Sequence, residues 1–225
     1  MTSIQSAVET ASKIGEKTKR DKLFMVILDD VRRMNRLVSD ISEASRLDSE
    51  LNRREYTIID VKQLVSIFFD ISVSAERFTS EKLNIIIEDT GLQYLVHANE
   101  NRLMQVVRNL VDNAETFSPE DKPITIRCKS DQHSVYIIVE DEGGGIPDPK
   151  LKTIFDRFYT ERPSTERFGT HSGLGLSICK QIVEAHYGNI WAENIYSITK
   201  HKTGARLIIA LPKAKARKQA DIDPS

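Results

Sequence analysis

An apolar run, Val135-Tyr-Ile-Ile-Val139, ends at Asp141-Glu-Gly-Gly-Gly-Ile-Pro147. No helix or central strand continues through consecutive glycines followed by proline, because glycine carries the largest backbone entropy and proline lacks an N–H. A strand therefore has to end here, in a turn that brings backbone close to whatever lies beside it. Two more punctuating motifs sit about thirty residues to either side, Asn109-Leu-Val-Asp-Asn113 and Ser172-Gly-Leu-Gly-Leu176. The first lies inside a stretch where Leu103, Val106, Val107, Leu110 and Ala114 share one helical face. The second opens an apolar helix over 174–185.

Around these motifs, strands and helices mix without a strict βαβ rhythm. Strands are expected at 56–59, 83–87, 94–96, 123–128, 134–139, 189–192 and 205–211, with a polar hairpin turn at 129–133. A helix capped by Asp60 should bury Val61, Leu64, Val65, Phe68, Ile71 and Ala75. The fold class is thus α+β, a two-layer sandwich of helices on one mixed sheet. Ahead of it, Ile4, Ala7, Ala11 and Ile14 recur at helical spacing, and Phe24, Ile27, Val31, Met34, Val38 and Ile41 form an a/d seam. Two helices with one narrow seam each cannot close a core alone, so residues 1–50 are expected to make a homodimer as a four-helix bundle.

With 225 residues, 40% of them hydrophobic, one main domain plus an appendage is the natural size. A net charge of −1 points away from nucleic acid. The longest apolar runs, Leu23–Leu28 and Leu207–Leu211, fall far short of the roughly 20 residues of a membrane span. The opening residues do not read as a signal peptide. Cys128 and Cys179 are isolated, which fits a reducing compartment.

The motifs carry a chemistry. Asn109 and Asn113 are four apart and share a helical face, and an asparagine carbonyl suits Mg2+, which takes few protein ligands beside phosphate and water. Asp141 can accept from the exocyclic amine of a purine lying against Gly143 and Gly145, with Ile146 covering the ring. Ser172, Gly173, Leu174, Gly175 and Leu176 place backbone N–H groups and a positive helix end where phosphate binds. Between the two glycine motifs, Arg157, Tyr159, Arg162 and Arg167 on an aromatic-anchored segment read as a lid over the phosphates. The set describes a site for Mg2+ and ATP.

At this point the chain resembles the C-terminal part of bacterial sensor histidine kinases. Residues 99–120 are similar to that family's N box, Asp141–Pro147 to its first glycine box, Ile154–Tyr159 to its F box and Ser172–Leu176 to its second glycine box. Residues 39–47 and 113–119 are most similar to the ChvG/ExoS subgroup of alphaproteobacterial kinases. The resemblance implies a Bergerat-type ATP-binding fold over 53–212, a partial dimerisation and phosphoacceptor hairpin over 1–52 and a disordered tail over 213–225. It implies Asn113 as the magnesium ligand, Asp141 as the adenine reader, and catalytic roles for Asn109, Arg157 and Arg162. Asn109 sits where related ATP-hydrolysing families carry a glutamate; an amide cannot activate water, which favours transfer to protein.

The activity so implied is transfer of the ATP γ-phosphate to a histidine and onward to an aspartate of a response-regulator receiver domain. The chain would be the cytoplasmic portion of a protein in the bacterial inner membrane. Two departures stand out. Thr116 occupies a position where the family carries a phosphate-reaching lysine or arginine. No histidine precedes His97, so the acceptor histidine is absent, and the chain is expected not to phosphorylate itself. The competing readings are a non-enzymatic ATP-binding module that dimerises, and an anti-sigma-type serine kinase.

Overall fold

The structure, a computed structural model, describes residues 56–159 and 173–214, together with Phe24, Met25, Ile27 and Val31, which are helical. The rest of the expected hairpin, Arg162, Ser172 and all but the first two residues of the expected tail lie outside the described residues. Two seam positions, Phe24 and Val31, are exposed.

Among the described residues from 56 onward, seven strands and three α-helices follow in the order β1 (Thr57–Asp60), α1 (Val61–Ser74), β2 (Leu83–Ile87), β3 (Leu95–Ala98), α2 (Glu100–Phe117), β4 (Ile124–Ser130), β5 (Ser134–Asp141), α3 (Gly175–Ala185), β6 (Asn189–Tyr196) and β7 (Lys202–Pro212). Two 3-10 turns, Asp148–Lys150 and Thr153–Phe155, stand between β5 and α3. The main sheet runs β2-β4-β5-β7-β6. Its β2–β4 pair is parallel and its other pairs are antiparallel, so it is mixed. β1 and β3 form a separate antiparallel pair.

All three helices share one face of the main sheet. α1 packs on β2 and β4, α2 on β4 and β5, α3 on β6, and α2 touches both other helices. Strand alternation explains the core. Ile124, Ile126 and Cys128 of β4 and Val135, Ile137 and Val139 of β5 point into it, meeting Leu103, Val106, Val107 and Leu110 of α2. Asp141 is in phase with Val135, Ile137 and Val139, so the last residue of β5 sends a carboxylate toward the helices.

The expected elements are present with shifted ends. α2 begins at Glu100 rather than Leu103 because the Asn99 side chain caps it, accepting the Arg102 N–H at 3.1 Å. Asp60 caps α1 as expected, accepting from Lys62 N at 2.9 Å. In that helix Ile71 is exposed and Ser72 buried, since the Ser72 hydroxyl is satisfied by the Phe68 carbonyl at 2.7 Å. β4 runs to Ser130, because Asp131 alone makes the turn by accepting from His133 N and Ser134 N at 2.7 and 2.8 Å. β6 and β7 are longer than expected, which carries Asn194 and Lys202 into the sheet.

His186, at the end of α3, ties that helix to the start of α2. Its Nδ1 donates to the Ile182 carbonyl at 2.6 Å and its Nε2 accepts the Asn99 N–H at 3.0 Å, an arrangement open only to the neutral ring. Burial lowers its pKa; the Ile182 carbonyl opposes this, and His97 lowers it further. A histidine pKa below its unfolded value means that the unfolded chain binds more protons, so the stability is present above roughly pH 6.5 and is lost as pH falls through the folded pKa. His186→Gln is expected to cost about 1–3 kcal/mol at pH 7.5, where an amide imperfectly replaces the pair of bonds. Chemical denaturation at pH 7.5 and 5.5 should show the wild type losing more stability on acidification than the variant.

Candidate functional site

One helix stripe organises the site. Asn109, Asn113 and Phe117 lie at i, i+4 and i+8 on α2. At one end the Asn109 Nδ2 donates to the Gly175 carbonyl at 3.4 Å, in the first residue of α3. At the other, the Phe117 carbonyl lies against Gly143, where an added Cβ would sit 2.2 Å from it. The stripe rises about 12 Å between these contacts. The glycine turn after β5 and the glycine start of α3 therefore flank the same two asparagines. Asn113, midway, is half-buried, and its amide bonds to no described residue. That open carbonyl fits a hard cation held between phosphates and protein.

Asp141 is 6% exposed. Its Oδ1 accepts from Gly143 N at 2.8 Å and from Ala205 N at 3.2 Å, while its Oδ2 accepts from no described residue. Burial raises its pKa, and the two backbone donors hold the rise back. An acceptor oxygen without a described donor, on a buried carboxylate beside a glycine turn, is suited to an amine donor from a ligand. Gly145 adopts φ +74°, which L side chains rarely take, and Ile146 is partly buried against the core. Gly204 lets β7 approach the end of β5: a Cβ there would lie 1.9 Å from the Asp141 carbonyl.

α3 starts with no side-chain cap, and no acidic residue occupies its first turn. No described side chain caps its leading N–H groups, and a helix start of this kind suits an anion. Leu174 is a core residue at 2% exposure, so only its backbone can face a ligand, whereas Leu176 is partly buried. Gly173 takes φ +73° and accepts the Phe158 N–H at 3.0 Å, closing the gap between the two described stretches. Ile154 and Phe155 are buried anchors of that segment, and Arg157 is exposed. Tyr159 is partly buried, with the Lys150 ammonium 5.5 Å from its ring centre. The structure thus brings together Asn109, Asn113, Asp141, Gly143, Gly145, Ile146, Gly173 and Gly175.

Three further residues belong to the site. Asn194 on β6 accepts the Ile146 N–H at 2.7 Å and donates to the Ile146 carbonyl at 2.8 Å. Lys202 donates to the same carbonyl at 2.8 Å and pairs with Asp148 at 2.9 Å. The Lys202 bond, then those from Asn194 and Tyr196, hold the exposed Asp148 carboxyl below the usual range. Asn194 and Lys202 escape a reading of the sequence because they lie some fifty residues beyond Ile146, in a hairpin with no motif of its own, and Asp148 shows its part only through them. The half-polar composition of β6, Asn-Ile-Trp-Ala-Glu-Asn-Ile-Tyr, is the one available signal.

Residues 98–215 match the model of the histidine kinase-, DNA gyrase B- and HSP90-like ATPases. The chain belongs to that family. Among its relatives is the sensor protein ChvG of Agrobacterium fabrum, 38% identical over 97% of this chain, and the ChvG of Rhizobium meliloti is 39% identical over 94%. The chain spans about 38% of the length of each. Among solved structures, the catalytic domain of the histidine kinase ThkA covers 72% of this chain and all of its own, at 28% identity and a TM-score of 0.59. ThkA in complex with the response regulator TrrA covers 95% of this chain and 57% of its own, at 25% identity and a TM-score of 0.70.

The ATPase-family match begins at Ala98, immediately before the cap of α2, so it takes in both asparagines, both glycine turns and β7. Within this family site the glycines are unequal. A Cβ on Gly143 meets the Phe117 carbonyl at 2.2 Å, whereas one on Gly144 meets nothing within 4 Å. Gly143→Ala is expected to destabilise the fold by about 1–3 kcal/mol, and Gly144→Ala to be tolerated within about 0.5 kcal/mol. Urea denaturation of the two variants compares them directly.

Proposed function

We propose that this site binds ATP with Mg2+ and passes the γ-phosphate to a histidine, from which it moves to an aspartate of a response-regulator receiver domain. The observation that supports this most is the Asp141 carboxylate, buried at the end of β5 beside the glycine turn, with Oδ1 held by the Gly143 and Ala205 N–H groups and Oδ2 accepting from no described residue. In this reading Asp141 accepts from adenine N6, and Ile146 covers the ring. Asn113 supplies a carbonyl to Mg2+, whose role is to neutralise charge on the transferring phosphate. The N–H groups at the start of α3, with Gly173 and Gly175, hold the phosphates.

Transfer needs little covalent chemistry from the protein. A histidine nitrogen attacks the γ-phosphorus, the bond to the β-phosphate oxygen breaks, and ADP leaves with that electron pair. Asn109 contributes no base: its amide nitrogen is spent on the Gly175 carbonyl, tying α2 to α3 at the height of the phosphates. Water is therefore not activated, and a protein acceptor is favoured. In this reading Arg157 and Arg162 supply cations to the phosphates, and Tyr159 and Ser172 contribute to nucleotide binding. Residues 1–50 form the dimer and present the receiving face, in the cytoplasmic part of an inner-membrane kinase. Among the described residues no helix is long and apolar enough to cross a membrane.

One observation favours a second reading, a nucleotide-binding module that transfers nothing. The Thr116 hydroxyl donates to the Asp112 carbonyl of its own helix at 2.9 Å, so it offers no charge to the phosphates. Losing one charged hydrogen bond there corresponds to about 1.5–3 kcal/mol.

Calorimetry with ADP and Mg2+ tests the site: Asp141→Asn is expected to weaken binding about tenfold or more, and unchanged affinity would remove the adenine assignment. Labelled ATP tests the transfer. The chain is expected to phosphorylate an added histidine-bearing dimerisation hairpin of the ChvG type, giving acid-labile label. Binding of ATP without any label on the added hairpin would favour the module that transfers nothing.

A further inference from the structure

We propose that Asn194 is a positioning residue for the adenine base, locking the Ile146 backbone at a set distance from the Asp141 carboxylate. The inference rests on the nucleotide reading of the site. Asp141, Ala205 and Asn194 stand side by side on three neighbouring strands, since Ala205 pairs with Asp141 on one side and with Asn194 on the other. Ala205 also gives its N–H to Asp141. One row of the sheet therefore carries both the proposed base acceptor and the residue that clamps the turn five positions later.

The clamp acts as a missing strand. After Asp141 the ladder stops, and the Ile146 peptide has no strand partner for its N–H or its carbonyl. Asn194 supplies both, with Oδ1 accepting at 2.7 Å and Nδ2 donating at 2.8 Å. The same Nδ2 reaches Asp148 at 2.9 Å. Lys202 doubles the hold, donating to the Ile146 carbonyl at 2.8 Å and pairing with Asp148 at 2.9 Å. Gly145 is shaped to this contact: a Cβ there would come within 2.9 Å of Asn194 Oδ1. The start of α3 is tied separately, by the Asn109 amide on the Gly175 carbonyl at 3.4 Å, so the Asn194 clamp bears on the base end of the site. Fixing Ile146 relative to Asp141 fixes the tilt of a ring lying between them, and with it the discrimination between a 6-amino and a 6-oxo purine.

Calorimetry with ADP and inosine 5′-diphosphate separates this role from a general one. The proteins are the wild type, Asn194→Asp, and Asn194→Asp combined with Asp148→Asn. The first variant loses the Nδ2 donor to the Ile146 carbonyl and sets two carboxylates against each other; the second change relieves that repulsion while the Ile146 carbonyl still lacks its Asn194 donor. The preference for ADP is expected to shrink about tenfold in Asn194→Asp and to stay reduced in the double variant. A wild type without preference for ADP would sink the nucleotide reading and this inference with it. A clear wild-type preference retained in Asn194→Asp, an equal loss for both nucleotides, or full recovery in the double variant would overturn the positioning role alone.

Discussion

The site depends on a carboxylate buried at the end of a strand. Asp141 continues the inward phase of Val135, Ile137 and Val139, so β5 drives a charge into the layer where the helices sit. An unpaired charge there would be costly, and two backbone N–H groups on Oδ1 make it tolerable. Both donors come from glycine-dependent geometry. Gly143 must pass beneath the Phe117 carbonyl, and Gly204 must let β7 close on the Asp141 carbonyl. The turn, the last turn of α2 and the start of β7 are thus mutually required, and the second carboxylate oxygen is what they leave over for a ligand.

α2 converts that local constraint into a site. Its apolar face is fully buried, which fixes its rotation, and rotation fixes where Asn109 and Asn113 face. The same helix is pinned at its start by His186 through Asn99, and beside its end by Lys82, whose ammonium meets the carbonyls of Pro119, Glu120 and Lys122 at 2.6–3.1 Å. A helix held at both ends and along one face offers its remaining stripe with little freedom. Preorganisation of this kind suits a reaction in which positioning and electrostatics supply most of the rate.

Much of this is legible in the sequence because local rules coincide there with the tertiary answer. The apolar spacing of Leu103 to Ala114, the cap at Asp60, the glycines after β5 and the proline ending β7 each mark an element without outside help. The partners of the glycine turn are not legible. Asn194, Lys202 and Asp148 meet only because β6 and β7 outrun their apolar cores, and a side-chain amide acting as a strand leaves no periodic trace. His186 is equally silent: alone it reads as an ordinary histidine, and its bond to Asn99 spans 87 positions. Ile71 shows the converse, an apolar residue in helical phase that faces solvent, while Ser72 beside it is buried with its hydroxyl on the Phe68 carbonyl.

The titration of Asp141 tests the central claim most directly. Burial raises its pKa in the chain without nucleotide. A donor brought to Oδ2 stabilises the charged form and lowers the pKa, and by linkage nucleotide affinity falls as the carboxyl becomes protonated. Carbon-detected NMR of the Asp141 side-chain carboxyl, followed against pH with and without saturating ADP, reads this on the residue itself. The expected result is a raised pKa in the free protein that drops when ADP binds. A pKa unmoved by saturating ADP would contradict the assignment of Asp141 as the residue that reads the base.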